Sequence, residues 1–304
     1  MANNLRTRGE KAFAVFNYIF MTLLCIICVY PLWYVLVSSV SDPVQLYMQR
    51  GIMIWPLGEW SMRGYQLVME NPNIPVGFGN TLIYLGVGTF LNMFITIMAA
   101  YGLSRKGCYW NGKIMKLIAF TMYFGGGLIP TYLIVKKVGL LNRAYTLIVL
   151  GSVSVYNIIV TRSFFQSTLP DSLFESARID GASELRMFFS IALPLSGSII
   201  AVMALYYGVG RWNEFFNALI YVSNVDYQPL QLVLRSLLLQ SQQAVMDAAL
   251  TDDPEMLADA ARLAYMAEAM KYAIIFIAAA PLLIAYPFVQ KHFVRGVMIG
   301  ALKG

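Results

Sequence analysis

Six long runs of this 304-residue sequence contain no Asp, Glu, Lys or Arg side chain. A helix needs roughly 20 mostly apolar residues to cross the hydrocarbon core of a bilayer. In lipid such a helix satisfies all of its backbone hydrogen bonds internally. The sequence therefore predicts an all-α, polytopic membrane protein with six transmembrane helices. The charge-free runs are 12–41, 71–104, 117–135, 144–161, 187–210 and 272–290.

Composition supports this prediction and excludes several other classes of protein. Apolar residues make up 59% of the chain and charged residues only 12%, whereas about a quarter of the residues of a soluble domain are charged. A soluble enzyme and a disordered chain are therefore excluded. Three cysteines cannot make a secreted disulfide scaffold, and one histidine leaves almost no material for a metal cluster or a catalytic triad.

The basic residues predict the orientation of the spans. If the N-terminus is cytoplasmic, thirteen of the 22 Lys and Arg residues lie on the inner side and eight on the outer side, as the positive-inside rule favours. Lys136, Lys137 and Arg143 are exceptions, since they fall in a short outer loop. We expect both termini inside and two long outer segments, 41–78 and 223–270. The second of these should carry one short helix, at 253–270.

A nucleotide site is not expected in this chain. Residues 107–113 fit the first seven positions of a phosphate-binding loop, but Ile114 stands where Ser or Thr is needed for the metal ion. The segment also follows a predicted membrane helix rather than a strand. A glycine-punctuated turn with basic anchors is the preferred interpretation.

The connection between the fourth and fifth predicted spans, about residues 168–193, has the pattern of two short amphipathic helices joined by a turn. Pro170 and Asp171 suit a helix start, Gly181 suits the left-handed conformation that ends a helix, and Ser183 can begin the next one. From the residues alone, this element either docks on a partner or lies on the lipid surface. The predicted apolar faces are Leu173, Phe174 and Ala177, then Leu185, Phe188 and Phe189.

The same connection resembles the EAA loop of ABC importer permeases, whose pattern is Glu-Ala-Ala, three residues, Gly, nine residues and Ile-x-Leu-Pro. The glutamate, the glycine and the final motif fall in register, while Ser176 replaces the middle Ala. The sequence at 180–182 with Phe188 resembles the fuller form of carbohydrate importers. The resemblance implies these ATPase-coupling positions: Glu175, Ser176, Ala177, Asp180, Gly181, Ala182, Phe188, Ile191, Leu193 and Pro194.

Other segments resemble carbohydrate permeases of the MalG and LplC type, and together they cover most of the chain after about residue 80. The resemblance implies a single permease domain over 1–304 in the bacterial plasma membrane, without an ATPase of its own. We place its spans at about 12–38, 80–104, 115–135, 144–165, 194–221 and 271–291. The matching segments are 124–132, 139–142, 211–220, 229–231 and 281–304.

The resemblance also implies the partners. They are a second and often non-identical permease subunit, two cytoplasmic ABC ATPases that bind ATP and Mg, an extracytoplasmic solute-binding protein and membrane lipid. No catalytic residue, metal, cofactor or nucleic acid is expected for this chain. By family analogy Glu175 pairs with a basic residue of the ATPase, and Gly181 sets the angle between the two short helices.

Polar side chains inside apolar spans predict where a substrate passes, because they are costly in lipid and usually face a cavity or another helix. Trp212 beside Asn213 and Glu214 suits a sugar, since an aromatic face and polar groups can contact its two sides. Alternatively, Trp212 is an interfacial aromatic residue, and Arg211 and Glu214 pair with the second permease. The pathway candidates are Asn92, Asn157, Arg211, Trp212, Asn213, Glu214 and Asn217.

Other transport functions remain open at this point. An importer permease for a polyamine or phosphonate would carry the same coupling loop. An ion-coupled secondary transporter would normally have two related halves and acidic residues inside the membrane, and the sequence contains neither clearly. A membrane scaffold protein would not need the connection at 168–193.

Overall fold

The computed structural model describes residues 7–49, 51–107, 110–248 and 254–301, with side chains except at 248, 254–258 and 288–301. The regular structure in these ranges is helical, as the sequence predicts. Three helices are long and apolar enough to cross a membrane: Arg8–Ser39, Asn73–Ser104 and Asp259–Pro287. Counting two bent helix pairs as broken spans raises the number of candidates to five. The count of six spans stays a prediction.

The chain forms two compact units, Met1–Asn71 with Leu234–Ala280 and Pro72–Val233 with Pro281–Gly304. Helices of the first unit are Arg8–Ser39, Pro43–Met48, Arg63–Met69, most of Leu230–Ala248 and the first part of Pro254–Ala301. Helices of the second are Asn73–Ser104, Asn111–Tyr123, Leu128–Lys137, Thr146–Val149, Val155–Thr168, Asp171–Ile179, Glu184–Leu195, Gly197–Trp212 and Phe216–Tyr221.

The helix Arg8–Ser39 is capped at its start and packed against neighbouring residues at its end. Thr7 and Glu10 form a reciprocal capping box at its start. The most apolar 18-residue window of this helix is not buried against the rest of the chain, which suits a surface that faces lipid. At its other end Val37 packs in a small buried cluster with Leu46 and Met53.

The predicted outer segment 223–270 is more helical than expected. It contains a helix at Leu230–Ala248, and the final helix runs without a break from Pro254 to Ala301. The short helix predicted near Pro254 therefore continues into the last span, because no glycine interrupts residues 254–295 and Ala, Leu, Met and Glu favour helix. Asp253, the first residue of that prediction, lies outside the described residues.

Three of the predicted spans are interrupted within the second unit. The third bends by 113° between Asn111–Tyr123 and Leu128–Lys137, at Gly127, whose φ is 82°. The fifth, predicted at about 194–221, starts at an 81° bend between the helices Glu184–Leu195 and Gly197–Trp212 and is interrupted again before Phe216. The fourth is divided into Thr146–Val149 and Val155–Thr168, and Gly151 between them has a φ of 72°. A positive φ is readily adopted by glycine and breaks the regular helix.

Candidate functional site

The segment 170–194, called the elbow here, contains the two helices and the glycine turn that the sequence predicts. Its first helix covers Asp171–Ile179 and ends before Gly181, whose φ is 78°. Its second helix begins at Glu184, where the hydroxyl of Ser183 accepts a hydrogen bond from the Arg186 N–H. The elbow therefore consists of two short helices whose relative direction depends on one left-handed glycine.

The inner face of the elbow is anchored in an aromatic cluster. The Tyr101 ring lies 6.2 Å from that of Phe174 and 4.9 Å from that of Phe188. It also packs edge-to-face with Phe165 at 6.0 Å. These four rings are buried, and they join both helices of the elbow to the helices Asn73–Ser104 and Val155–Thr168. Because these rings are closely packed, a displacement of the elbow would also move these two helices.

Two basic residues that follow the helix Asn73–Ser104 also hold the elbow. The Arg105 guanidinium carbon lies 3.9 Å from the centre of the Phe174 ring, and burial lowers the pKa of this guanidinium. The ammonium of Lys106 lies 2.6 Å from a carboxylate oxygen of Asp171. Hydrogen bonding between them raises the pKa of Lys106 and lowers the pKa of Asp171.

An ion pair crosses the turn at Gly181. The Arg178 guanidinium donates to a carboxylate oxygen of Glu184 at 2.8 Å, and this contact raises the pKa of Arg178. Both side chains are about half exposed. An exposed pair of this kind stabilises only weakly, so it orients the two helices rather than rigidly fixing them.

The outer face of the elbow is apolar at several positions. Ile179 is 87% exposed, Leu185 63% and Phe189 56%. The prediction that Leu185 and Phe189 share one face with Phe188 is therefore wrong in part, because only Phe188 turns inward. A cavity of about 260 Å³ also opens between the two helices, beside Asp180 and Arg186. Exposed apolar patches mark contact sites for proteins or for the membrane, so these positions suit either of the two contacts that the sequence leaves open.

The predicted coupling residues divide by their exposure. Ala177 and Phe188 are buried, whereas Ala182, Ile191 and Leu193 are partly buried. The exposed members are Glu175, Ser176, Asp180, Gly181 and Pro194.

The second cluster of predicted residues is centred on Arg211, which is 5% exposed. Its Nε and Nη2 donate to the side-chain oxygen of Asn92 at 3.1 and 2.9 Å. Its Nη1 and Nη2 donate to the carbonyls of Leu147, Leu150 and Ile148. These five bonds use all five N–H groups of a guanidinium. In this conformation Arg211 and Asn92 are structural groups with no donor directed to an open surface.

This cluster explains why the fourth predicted span is divided. The carbonyls that bind Arg211 belong to the end of the helix Thr146–Val149 and the turn after it, so the buried cation replaces helical hydrogen bonds there. Asn92 donates to the carbonyl of Gly151 at 2.7 Å. Gly88 provides the space, since a Cβ at this position would lie 2.8 Å from Arg211 Nε.

The other pathway candidates take no part in the five hydrogen bonds that Arg211 donates. Asn157 is 8% exposed in the helix Val155–Thr168, and Trp212 is 3% exposed. Trp212 packs edge-to-face with Phe78 at 6.3 Å beside an apolar cavity of about 500 Å³. This lining offers few partners for hydroxyl groups, so the surroundings of Trp212 favour an apolar neighbour over a sugar.

Three candidates lie where the helix Gly197–Trp212 ends. Asn213 is exposed and donates to the carbonyl of Val209 at 3.0 Å. Glu214 accepts from the backbone and side-chain nitrogens of Asn217 at 3.2 and 3.1 Å. Glu214 and Asn217 are partly exposed, so these polar groups remain accessible to a solute. Among the residues that the structure describes, no cluster of His, Cys, Asp and Glu could hold a metal ion.

The comparison with protein families identifies the chain. The family described as binding-protein-dependent transport system inner membrane component matches residues 1–299. The chain belongs to this permease family.

Individual relatives cover the permease almost completely. It is 37% identical over 301 residues to the protein LplC of Bacillus subtilis (strain 168), across 98% of this chain and 97% of LplC. It is 33% identical to the polygalacturonan/rhamnogalacturonan transport system permease protein YtcP of the same organism, across 97% and 99%. It resembles a crystal structure of a bacterial ABC transporter involved in the import of the acidic polysaccharide alginate, with a TM-score of 0.80, 26% identity and coverage of 96% and 100%.

Sequence reasoning did not identify the residues that organise residues 222–230 of the permease. Asn142, with a φ of 56°, accepts from the N–H groups of Ser223 and Asn224 at 3.0 and 2.8 Å. Asn80 donates to the carbonyls of Asp226 and Gln228. An isolated asparagine is a common surface residue, so only its position in the fold indicates this role.

Proposed function

We propose that the permease is one of two transmembrane subunits of an ATP-driven bacterial importer for an oligosaccharide. It forms half of the translocation pathway and couples to a cytoplasmic ABC ATPase through the elbow. Relatives of the permease support the substrate class, since they include transport proteins for polygalacturonan/rhamnogalacturonan, maltodextrin and arabinooligosaccharides. The related crystal structure is of an importer of alginate.

The arrangement of the elbow is the observation that carries this proposal. Its inner face is anchored through Phe174 and Phe188 in the bundle, while Ile179, Leu185 and Phe189 are exposed on its outer side. Glu175 is also exposed, at the register of the EAA glutamate. An element with one packed face and one unpacked apolar face can transmit force from a docked protein into the helices behind it.

The orientation follows from the basic residues. The elbow and both termini are cytoplasmic, and the chain crosses the membrane six times if the divided segments at 111–137, 144–168 and 194–221 each count as one span. Irregular backbone at membrane depth is tolerated where protein or a cavity surrounds it. The buried bonds of Arg211 to backbone carbonyls meet that requirement in the fourth segment.

The complete importer contains this permease, a second permease subunit, two ATPase subunits and an extracytoplasmic solute-binding protein. ATP and Mg bind to the ATPases, and this chain supplies no catalytic residue. Asn213, Glu214 and Asn217 are the polar residues proposed to line the substrate pathway. Arg211 and Asn92 support that region from within the protein.

Co-purification tests the proposed coupling. The tagged permease is expressed with its genomic neighbours, and the ATPase that accompanies it in detergent is identified and quantified. We expect Glu175→Lys to reduce the retained ATPase at least tenfold, because the substitution reverses an exposed charge at the position of the EAA glutamate. Glu59→Lys, an exposed charge reversal in the predicted outer segment, should leave the ATPase bound.

Retention of the ATPase by both variants would contradict the role of the elbow. Accessibility of a thiol introduced at Ser176 provides a second test in intact cells. Labelling of this thiol by an impermeant reagent added from outside would place the elbow on the wrong side of the membrane for the proposed function.

A further inference from the structure

The first unit contains a cavity of about 340 Å³ that the proposed coupling and pathway residues do not use. It lies among the helices Pro43–Met48, Leu230–Ala248 and Pro254–Ala301, and all of its lining residues belong to this unit. Its volume falls at the small end of the range of ligand pockets in proteins. Tyr47, Gln242, Glu268 and Lys271 bring polar atoms to its lining, and the rest of the lining is aliphatic, formed by Ala264 and Ala267 together with Leu238, Val245 and Met246.

The position of this cavity is outside the hydrocarbon layer. Residues 259–271 contain four charged side chains, whereas residues 272–290 contain none. Because charges are costly at the centre of a bilayer, the membrane-spanning part of the final helix begins after Lys271. The cavity therefore faces the side from which a solute arrives, given the orientation proposed above.

The lining combines an aromatic ring with fixed polar groups. The Tyr47 ring packs edge-to-face with Tyr265 at 5.2 Å, which holds its orientation. Lys271 forms an ion pair with Glu268, and their side chains are 30% and 27% exposed. The Lys271 ammonium also lies 4.6 Å from the centre of the Tyr272 ring. These contacts preorganise a carboxylate and an ammonium beside the cavity.

We propose that this cavity binds one sugar ring of the incoming oligosaccharide before it enters the helical bundle. An aromatic ring can cover the apolar face of a sugar, while the amide of Gln242 and the Glu268–Lys271 pair can exchange hydrogen bonds with its hydroxyls. The pair is neutral overall, so the site selects hydroxyl groups rather than a net charge. Ala264 and Ala267 leave the space that the ring occupies.

The proposal rests on the proposed function, because it specifies a sugar site for that importer. It is tested on the assembled importer in lipid nanodiscs by saturation-transfer difference NMR, with maltotriose and trigalacturonate as probes and without the binding protein. We expect at least one probe to give a saturable signal. Ala267→Phe should abolish that signal, because the larger side chain fills the cavity without removing a polar group.

Two neighbouring glutamines provide a matched pair of milder variants. Gln242→Ala should weaken the apparent affinity about tenfold, the equivalent of one or two lost hydrogen bonds. Gln243 lies next in the same helix, donates to Asp247 at 2.8 Å and does not line the cavity. Gln243→Ala should therefore change the affinity less than twofold. Recovery of intact complex confirms assembly for each variant.

Absence of a signal from both probes, or its persistence in Ala267→Phe and Gln242→Ala, would overturn the cavity site. So would a loss of affinity for the sugar-free binding protein with unchanged sugar binding, since the cavity would then receive a protein side chain. ATP-driven uptake into vesicles separates this inference from the proposed function. Uptake with an unaltered half-saturation in Ala267→Phe rejects only the cavity, whereas no uptake of any oligosaccharide by the wild-type importer rejects the function.

Discussion

The guanidinium of Arg105 stacks on the ring of Phe174, with its central carbon 3.9 Å from the ring centre. Arg105 follows the last turn of a long membrane helix, and Phe174 lies in the first helix of the elbow. The same guanidinium is 5.1 Å from the ring of Tyr101. This contact joins the elbow to a helix of the bundle by a side chain that is only partly buried, so it can be altered without opening the core.

Replacing Arg105 should therefore impair coupling more than folding. We expect Arg105→Ala to lower the free energy of unfolding by about 1 kcal/mol, the typical strength of a cation–π contact. We also expect it to reduce the number of solutes imported per ATP hydrolysed. Transport and ATPase rates of the reconstituted importer measure that ratio. Lys113→Ala is the control, because Lys113 also makes a cation–π contact, at 4.2 Å, but with the Trp110 ring rather than with a ring of the elbow. An equal change of the ratio in both variants would exclude a specific role for Arg105.

The ion pair between Lys106 and Asp171 should make elbow stability depend on pH. The folded-state pKa of Asp171 is lowered by its hydrogen bond to Lys106, so its contribution is present above the unfolded-state pKa and is lost as pH falls below about 4. Lys106 has a raised pKa, so its contribution is lost only at strongly alkaline pH. Melting temperatures of the wild type and Asp171→Asn should converge in acid. A constant difference down to pH 2.5 would contradict this assignment.

Gly181 should tolerate only residues that accept a positive φ. No heavy atom lies within 4 Å of a Cβ placed there, so the cost of substitution comes from the backbone alone. Gly181→Val should destabilise the elbow by about 1–2 kcal/mol and reduce uptake, while Gly181→Asn, which visits the left-handed region more readily, should retain most uptake. Vesicle uptake assays at matched protein amounts would test this. Equal uptake by the two variants would show that the turn geometry is not required.

Gly88 should be required for the Arg211 cluster. An added methyl group would lie 2.8 Å from Arg211 Nε and displace a cation whose N–H groups are all bonded. We expect Gly88→Ala to lower the free energy of unfolding by about 2–3 kcal/mol, as for loss of hydrogen bonds from a buried charge. Gly86 lies in the same π-helical turn with open space around it, so Gly86→Ala should have little effect. Thermal melts of the two variants in one detergent would decide this.

Much of the elbow follows from short-range chemistry. Asp171 begins its first helix, Gly181 takes a positive φ and Ser183 caps the second helix, because capping and left-handed turns depend on residues within a few positions of each other. The exposure of Leu185 and Phe189 does not follow in this way. Apolar periodicity places them beside Phe188, but the space on the inner face is already filled by Tyr101, Phe165 and Phe174.

The pathway candidates illustrate the same division. Polarity within an apolar run selects Asn92 and Arg211, yet it does not distinguish a residue that meets a solute from one that binds the protein itself. The folded chain brings Arg211 to backbone carbonyls more than 60 residues away in sequence, and these bonds divide a run that hydropathy predicts as continuous.

The helical class of this permease, its membrane location and the elbow pattern follow from side-chain hydropathy and local spacing, since both act over one or two helical turns. The broken helices, the buried guanidinium and the small cavity beside Tyr47 depend on contacts between distant segments. A sequence pattern contains no information about which carbonyl, ring or methyl group will lie opposite a given side chain, and only the packed chain decides those neighbours.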